Sequence, residues 1–205
     1  MTSDDYRSLL GRLQGWFEGG RRAAGGVVPC RGGCSACCHG PFDISVADAE
    51  LVGRAVAGLP PETRDRVVRR ATDLLERMRS LEPGWRAPYD IADLGEDRFD
   101  RLADALADEP CPLLDASGRC GIYHDRPLVC RLIGLGMSTP AGRVLANECP
   151  IQSSCPGYGE LAPVPFDLEA LEAVEAGLLE AAARRTGRAV AFETTIAAAV
   201  AGAGA

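Results

Sequence analysis

The chain of 205 residues contains no lysine: all 22 of its basic residues are arginine, against 29 acidic residues. Together with abundant Ala, Gly and Pro, this indicates the codon bias of a GC-rich genome rather than a functional choice. The formal net charge of −7 argues against binding to nucleic acid, which requires a clustered positive surface. The main basic run, over residues 64–79, is interleaved with acidic residues, a pattern typical of a solvated helix face.

Long apolar runs are also missing. None approaches the roughly 18 residues needed to cross a bilayer, and the stretch over 196–205 is too short and too rich in Ala and Gly. The first residues lack a basic start followed by an apolar stretch, so we expect no secretory signal. The sequence therefore predicts a cytoplasmic protein with neither nucleic acid nor membrane among its partners, and it names no other partner.

Signals of common catalytic sites are absent as well. Gly134-Leu135-Gly136 lacks the third glycine and the helix start of a phosphate-binding loop. No pair of acidic residues has a context that identifies a general acid and a general base. We expect His39 to be exposed in a loop or to assist a ligand, and His124 to be exposed. Whether the chain is an enzyme stays open at this point.

Cysteine, in contrast, is abundant: the chain has nine. In a reducing compartment, dense cysteines are typical of metal or redox ligands rather than of a disulfide framework. The odd number agrees, since complete pairing would leave one thiol over. Disulfides or plain buried thiols are the alternative. Eight cysteines suffice for two tetrahedral thiolate sites or for one or two iron–sulfur clusters. These candidate metal ligands are Cys30, Cys34, Cys37, Cys38, Cys111, Cys120, Cys130 and Cys149.

The adjacent pair Cys37-Cys38 constrains any such site. Neighbouring side chains diverge, so both would bind one small ion only with strain. They more easily serve two centres, or one binds while the other packs. Thiolates also need compensating groups, and Arg126 and Arg131 are the local candidates. We therefore predict that these two arginines contribute to binding the cofactor.

The second cysteine-bearing string has a recognisable pattern. It contains Cys111-Pro-Leu-Leu, Gly118-Arg-Cys-Gly-Ile-Tyr, Arg126-Pro and Cys130-Arg. With the four cysteines of residues 30–38, this string resembles the YkgJ-type cysteine-cluster family, described as zinc- or iron-chelating domains. The resemblance covers about residues 31–150 and departs from the family pattern in the three-residue gap between Cys30 and Cys34. It implies a bound zinc ion or iron–sulfur cluster, without fixing which.

The spacing of Cys30, Cys34 and Cys37 also equals the three-cysteine motif of radical S-adenosylmethionine enzymes. Those enzymes carry it on a repeated βα barrel, and this sequence shows no βαβα alternation. Flagellin lysine N-methylase resembles the same cysteine family, which implies such chemistry for some members. Nothing besides the cysteines supports a methyltransferase activity for this chain.

The predicted fold is mainly α, a single cysteine-cluster domain over 1–205. Helices clamp an irregular metal-binding core made of two cysteine-bearing regions, 30–40 and 110–156, and metal–ligand bonds would stabilise the closure of the long loop between them. Apolar periodicity and capping residues predict the helices, and short strands are expected between turns. The predicted helices are about 4–18, 45–58, 61–83, 96–106 and 166–185, the strands 113–114, 121–123 and 143–145, and the tail from 187 is a strand or a weak helix.

Three functions are compatible with these residues. The first is a cysteine-ligated metalloprotein whose iron–sulfur cluster or zinc supports redox or group-transfer chemistry. The second is a zinc-stabilised structural or binding module without catalysis. The third is a metal-handling protein.

Overall fold

The computed structural model describes residues 2–31 and 33–204, and helices carry most of this part of the chain. The mainly α fold class is confirmed, with strands of only two or three residues. The helices are α1 Ser3–Ala23, α2 Val46–Ala57, α3 Pro61–Leu81, α4 Ile91–Leu94, α5 Glu96–Ala105, α6 Val129–Leu132, α7 Leu168–Thr186 and α8 Ile196–Gly202. The strands are β1 Asp43–Ser45, β2 Met137–Ser138, β3 Val144–Leu145, β4 Val164–Pro165 and β5 Glu193–Thr195.

Local signals explain where the helices begin. Thr2 and Asp5 form a capping box at the start of α1. Ser45 accepts a hydrogen bond from the backbone N–H of Asp48 at the start of α2, which confirms its predicted capping role. Pro61 occupies the first position of α3, where the N–H that proline lacks would have no helical partner.

The predicted end of α1 at Gly19-Gly20 is wrong, because the helix continues to Ala23. Gly20 faces Leu135 and Val164, and an added Cβ there would stand 2.5 Å from Leu135 Cδ2. Glycine inside a helix costs about 1 kcal/mol relative to alanine. At this position the missing side chain allows close packing, so the tertiary contact outweighs the local preference.

Two of the predicted strands are also wrong. Residues 113 and 121–122 lie in turns, and Leu114 makes an isolated bridge with Cys120. Tyr123 begins a short 3-10 helix. The strand predicted over 143–145 is confirmed as β3. The segment before residue 96, for which no helix was predicted, contains the short helix α4. The tail forms both β5 and α8.

A two-stranded sheet joins the beginning of α2 to the C-terminal helix. β1 pairs with β5 in antiparallel fashion, with Ile44 opposite Thr194. Each strand leads directly into a helix, and Ser45 and Thr195 cap α2 and α8 in the same way. As a result α8 packs against both α2 and α3. This arrangement places the C-terminal segment beside the first cysteine-bearing region.

A three-stranded sheet organises the last cysteines. β2 pairs antiparallel with β3 and parallel with β4, so that Met137 lies opposite both Leu145 and Val164. The chain between β3 and β4 is thereby closed into a loop. This loop carries Cys149 and Cys155.

The helices bury apolar cores of their own. One cluster joins α1, α2 and α7 through side chains such as Leu10, Leu51 and Leu171, none of which is more than 1% exposed. A second joins α2, α3 and α8 and includes four of the cysteines. None of the helices in residues 2–31 and 33–204 is long and apolar enough to span a bilayer.

We expect Leu10→Ala to lower the free energy of unfolding by about 2–5 kcal/mol, because it leaves a cavity in the cluster between α1, α2 and α7. The measurement is urea-induced unfolding followed by circular dichroism. The matched control is Leu81→Ala at the end of α3, where the side chain is 50% exposed and a change within about 0.5 kcal/mol is expected. Equal losses in the two variants would contradict the assigned core.

Candidate functional site

Two successive turns shape the first cysteine-bearing segment. The backbone N–H of Cys34 donates to the carbonyl of Arg31 at 2.9 Å, and that of Cys38 donates to the carbonyl of Ser35 at 2.9 Å. Within the first of these turns Gly33 adopts a φ of +85°, which favours glycine. The chain therefore coils tightly enough to place four thiols within one loop.

Backbone hydrogen bonds join this segment to the second one. The N–H of Cys111 donates to the carbonyl of Cys38 at 2.9 Å, and the N–H of Gly40 donates to the carbonyl of Glu109 at 2.7 Å. An isolated bridge between His39 and Pro110 lies at the same place. The two cysteine-bearing segments are thus held side by side by the polypeptide itself.

A tight turn brings Cys111 and Cys120 together. The Asp115 carboxylate accepts hydrogen bonds from the backbone N–H groups of Ser117 and Arg119. The N–H of Gly121 donates to the carbonyl of Leu113 at 2.9 Å. This hydrogen bonding reverses the chain between the two cysteines.

Two arginines of α3 anchor the same segment. Arg70 donates to the backbone carbonyls of Leu114 and Cys111, and Arg77 pairs with Glu109. The sequence predicted a solvated face for this basic run, which fits exposed Arg77 but is wrong for Arg70, whose guanidinium binds the backbone. Charge alternation gives no signal for a backbone contact, so sequence reasoning could not find this role.

Arg126 and Arg131 hold the segment that carries Cys130. Arg131 is only 4% exposed and donates to the carbonyls of Arg126 and His124. Arg126 stacks over the ring of Tyr123 at 4.0 Å from its centroid. Both guanidinium groups also donate to Gln14 Oε1 in α1, at 2.8 Å and 3.3 Å respectively. Gln14 was missed because a lone glutamine in an amphipathic helix has no distinguishing signal.

Buried Asp48 is a second residue whose role at this site the sequence did not predict. Its carboxylate accepts a hydrogen bond from the backbone N–H of Leu128 at 3.1 Å, two residues before Cys130. Burial raises the pKa of Asp48 to about 6, against which the hydrogen bonds and the nearby Arg131 act only in part. Asp48 therefore fixes the Cys130 segment to α2.

Cys149 lies in the loop between β3 and β4. The backbone N–H of Cys149 donates to the hydroxyl oxygen of Tyr158 at 3.1 Å, and Cys149 is 5% exposed. The thiols of Cys34 and Cys37 lie near enough to it to disfavour its ionisation, after burial. Cys149 thus belongs with the first cysteine-bearing segment.

A cavity of about 520 Å³ lies where these segments meet. Its apolar wall includes Phe17, Leu113 and Ile196, and Arg126 contributes charge. The nine cysteines are all free thiols, and seven of them line this cavity. They are Cys30, Cys34, Cys37, Cys38, Cys111, Cys120 and Cys130. Of the eight predicted ligands, only Cys149 is not part of the lining.

Desolvation dominates the ionisation of most of these thiols. Burial raises the pKa of Cys30 to about 11 and that of Cys111 to about 11. It also raises the pKa of Cys130 well above the ordinary range. Cys37 is the exception, because a hydrogen bond from the Cys38 thiol lowers its pKa to about 7. A bound soft cation would instead lower the pKa of each thiol, since it stabilises the thiolate directly.

The sulfur atoms surround a space rather than one point. Within residues 2–31 and 33–204, no three or more His, Cys, Asp or Glu side chains lie close enough together to hold a metal ion. A tetrahedral zinc ion, with Zn–S bonds of about 2.3 Å, would therefore draw the sulfur atoms inward. The number and softness of the donors nevertheless fit zinc or iron.

The two histidines lie at the edge of this arrangement. His124 is exposed, as predicted. His39 is half-buried in a separate depression that also includes Cys37, Asp108 and Glu148. Neither histidine lines the cysteine cavity.

Residues 29–150 match the family named CxxCxxCC and described as "Putative zinc- or iron-chelating domain". The match covers more than half of the chain. The chain belongs to this family. The membership agrees with the resemblance stated from the sequence, and it supports metal binding by zinc or iron. No curated protein and no solved structure matches the chain.

We expect Gly134→Ala to destabilise the protein more than Gly142→Ala, by about 1–3 kcal/mol in the free energy of unfolding. Both glycines have a positive φ, of +101° and +84°, so the backbone strain is shared. Only at Gly134 would the new Cβ stand 2.8 Å from the Cys30 sulfur, whereas at Gly142 it meets open space. Equal losses in urea-induced unfolding would show that Gly134 does not make room for Cys30.

Asp48→Asn should change how stability depends on pH. Since burial holds the pKa of Asp48 near 6 in the folded protein, above its value of about 3.9 in the unfolded chain, the folded state takes up a proton between these values. The wild type should therefore gain on the order of 1 kcal/mol of stability relative to Asp48→Asn as the pH falls from 7 to 5.

Urea-induced unfolding at each pH measures this difference. Both proteins keep every cysteine, so the contribution of the thiols largely cancels. Asp100→Asn, at an exposed position of α5, is the control and should leave the pH profile unchanged. A constant difference between wild type and Asp48→Asn would contradict the prediction.

Proposed function

We propose that this chain is a cysteine-ligated metalloprotein that holds zinc or an iron–sulfur cluster at the cysteine-lined cavity and supports redox or group-transfer chemistry there. The observation that supports this most strongly is the convergence of seven cysteines, from segments about 70 residues apart, on one cavity. Isolated buried thiols would not require such a gathering. Membership in the zinc- or iron-chelating family agrees with it.

The proposed ligands are the eight cysteines predicted from the sequence, with Cys149 approaching Cys34 and Cys37 from outside the cavity wall. Arg126 is the main compensating group, because its charge favours ionisation of Cys30 and Cys37. Arg131 uses its donors on the backbone carbonyls of Arg126 and His124. We assign to it the positioning of the Cys130 segment.

The cavity also has room for a small molecule. Its volume of about 520 Å³ falls within the range of about 300–1,000 Å³ that is usual for ligand sites. A bound metal centre would supply electrons or a metal-activated thiolate at this cavity. The chain itself supplies an apolar wall around Leu113 and Ile196, and the polar groups of Tyr123 and Arg126 at its side. This combination supports a reactive role.

A zinc-stabilised module without catalysis is the second candidate. It is favoured by the position of Cys111, which is 8% exposed and packs within the apolar cluster of α2, α3 and α8. Either function needs thiols kept reduced, which agrees with the expected cytoplasmic location.

Anaerobic purification of the full chain tests the proposal. We expect either iron with acid-labile sulfide and broad visible absorption, or a colourless protein that contains zinc. Elemental analysis and the absorption spectrum give the answer. Cys130→Ser should lower the metal content, whereas Cys155→Ser, which removes a thiol outside the proposed ligands, should not.

Chelation separates the two candidates. If the metal is purely structural, its removal should abolish the native circular dichroism spectrum and the thermal transition. If it supports chemistry, the helices should keep most of their structure, because they bury apolar cores of their own. A protein that contains neither metal, under anaerobic conditions, would overturn both.

A further inference from the structure

The thiols around the cavity divide into two groups. The Cys30 thiol has those of Cys149, Cys34 and Cys37 as neighbours, and Cys37 shares a depression with Glu148 and Pro150, which flank Cys149. Cys149 has Cys34, Cys37 and Cys155 nearby, but the Cys155 thiol is turned to the carbonyl of Ile151. This group combines the first cysteine-bearing segment with the loop between β3 and β4.

The second group shares no member with the first. Cys38 has Cys111 and Cys130 as its nearest interacting thiols besides Cys37, and Cys130 has Cys111 and Cys120. The two groups meet at Cys37 and Cys38, whose thiols interact with each other. The division therefore falls between two consecutive residues.

Apolar packing independently separates the second group from Cys30. Cys38, Cys111, Cys120 and Cys130 all pack in the cluster that α2, α3 and α8 bury. Cys30 packs instead in a separate cluster with Phe17, Val28 and Leu135. Because consecutive side chains point in different directions, Cys37 and Cys38 need not bind the same ion.

We propose that the chain holds two separate four-thiolate centres: the first centre is Cys30, Cys34, Cys37 and Cys149, and the second centre is Cys38, Cys111, Cys120 and Cys130. This inference rests on the proposed function, since it divides the same set of ligands. Each centre has the four soft donors that a tetrahedral zinc ion or one iron–sulfur cluster requires.

The charges around the cavity suit this division. Four thiolates around one divalent ion carry a net charge of about −2, so two adjacent centres repel each other. Arg126 lies between them, because its charge acts on Cys30 and Cys37 of the first centre and on Cys120 and Cys130 of the second. One guanidinium therefore reduces the repulsion on both sides.

Gly134 gives the first centre its room. An added Cβ there would stand 2.8 Å from the Cys30 sulfur, while its backbone N–H donates to the carbonyl of Asn147 at 2.7 Å. Asn147 is two residues before Cys149. Gly134 thus leaves room for the Cys30 sulfur, and its hydrogen bond to Asn147 holds the segment that carries Cys149.

Cadmium-113 NMR of the full chain, after exchange of the bound metal for cadmium, tests the division. We expect two resonances of equal intensity in the range of cadmium bound by four sulfur atoms. Cys34→Ser and Cys37→Ser should both shift or remove one resonance. Cys38→Ser and Cys111→Ser should both shift or remove the other. Cys155→Ser, the matched control, should leave both in place.

A second measurement covers the case in which a variant fails to fold. Wild-type protein is treated with a chelator and an alkylating agent, and the labelled cysteines are identified by mass spectrometry. Cys30, Cys34, Cys37 and Cys149 should become labelled together, as one set of four with a single rate. The remaining four proposed ligands should follow with a different rate.

The outcomes separate this inference from the proposed function. A single cadmium resonance, or the same resonance lost in Cys37→Ser and Cys38→Ser, would overturn the division and leave a metalloprotein with one centre. Labelling of all eight cysteines at one rate would do the same. A chain that takes up neither cadmium nor zinc nor iron would overturn both.

Discussion

The backbone pairing between the two cysteine-bearing segments determines the rest of the site. The N–H of Cys111 donates to the carbonyl of Cys38, and the N–H of Gly40 donates to that of Glu109. About 70 residues lie between these segments, and the entropic cost of closing such a loop grows only slowly with its length. The intervening helices bury apolar surface of their own. The polypeptide therefore closes this loop by itself, and metal–ligand bonds act on segments that are already adjacent.

Ionisation and metal binding are linked at this site. Buried thiols such as Cys30, Cys111 and Cys130 hold their protons because the interior solvates a thiolate poorly. An ion that binds to them must release those protons, so its affinity rises with pH. The same burial keeps the thiols unreactive until an ion is present, apart from Cys37, whose hydrogen bond from Cys38 favours the thiolate.

The sequence predicted the long helices and the candidate ligands because these carry repeated or clustered signals. Apolar spacing and capping residues such as Ser45 are local signals. The cysteine spacing of the family can be recognised without any knowledge of the fold. The missed features depend on distant contacts. Gln14 and Arg70 look like ordinary surface residues until the loops dock on them. Gly20 and Gly134 look like helix or turn breakers, although each makes room for a neighbouring side chain. The short strands depend on pairing partners that local propensity does not reveal.

The pairing of β1 with β5 has a consequence for biosynthesis. All nine cysteines precede β5 in the chain, whereas Ile196, just after β5, forms part of the cavity wall. On the ribosome, where the chain emerges from its N-terminus, every thiol is therefore outside before that wall exists. An ion that binds the nascent chain would therefore reach the thiols before Ile196 is in place. α8, which begins at Ile196, is the last element of the described cavity lining to be synthesised.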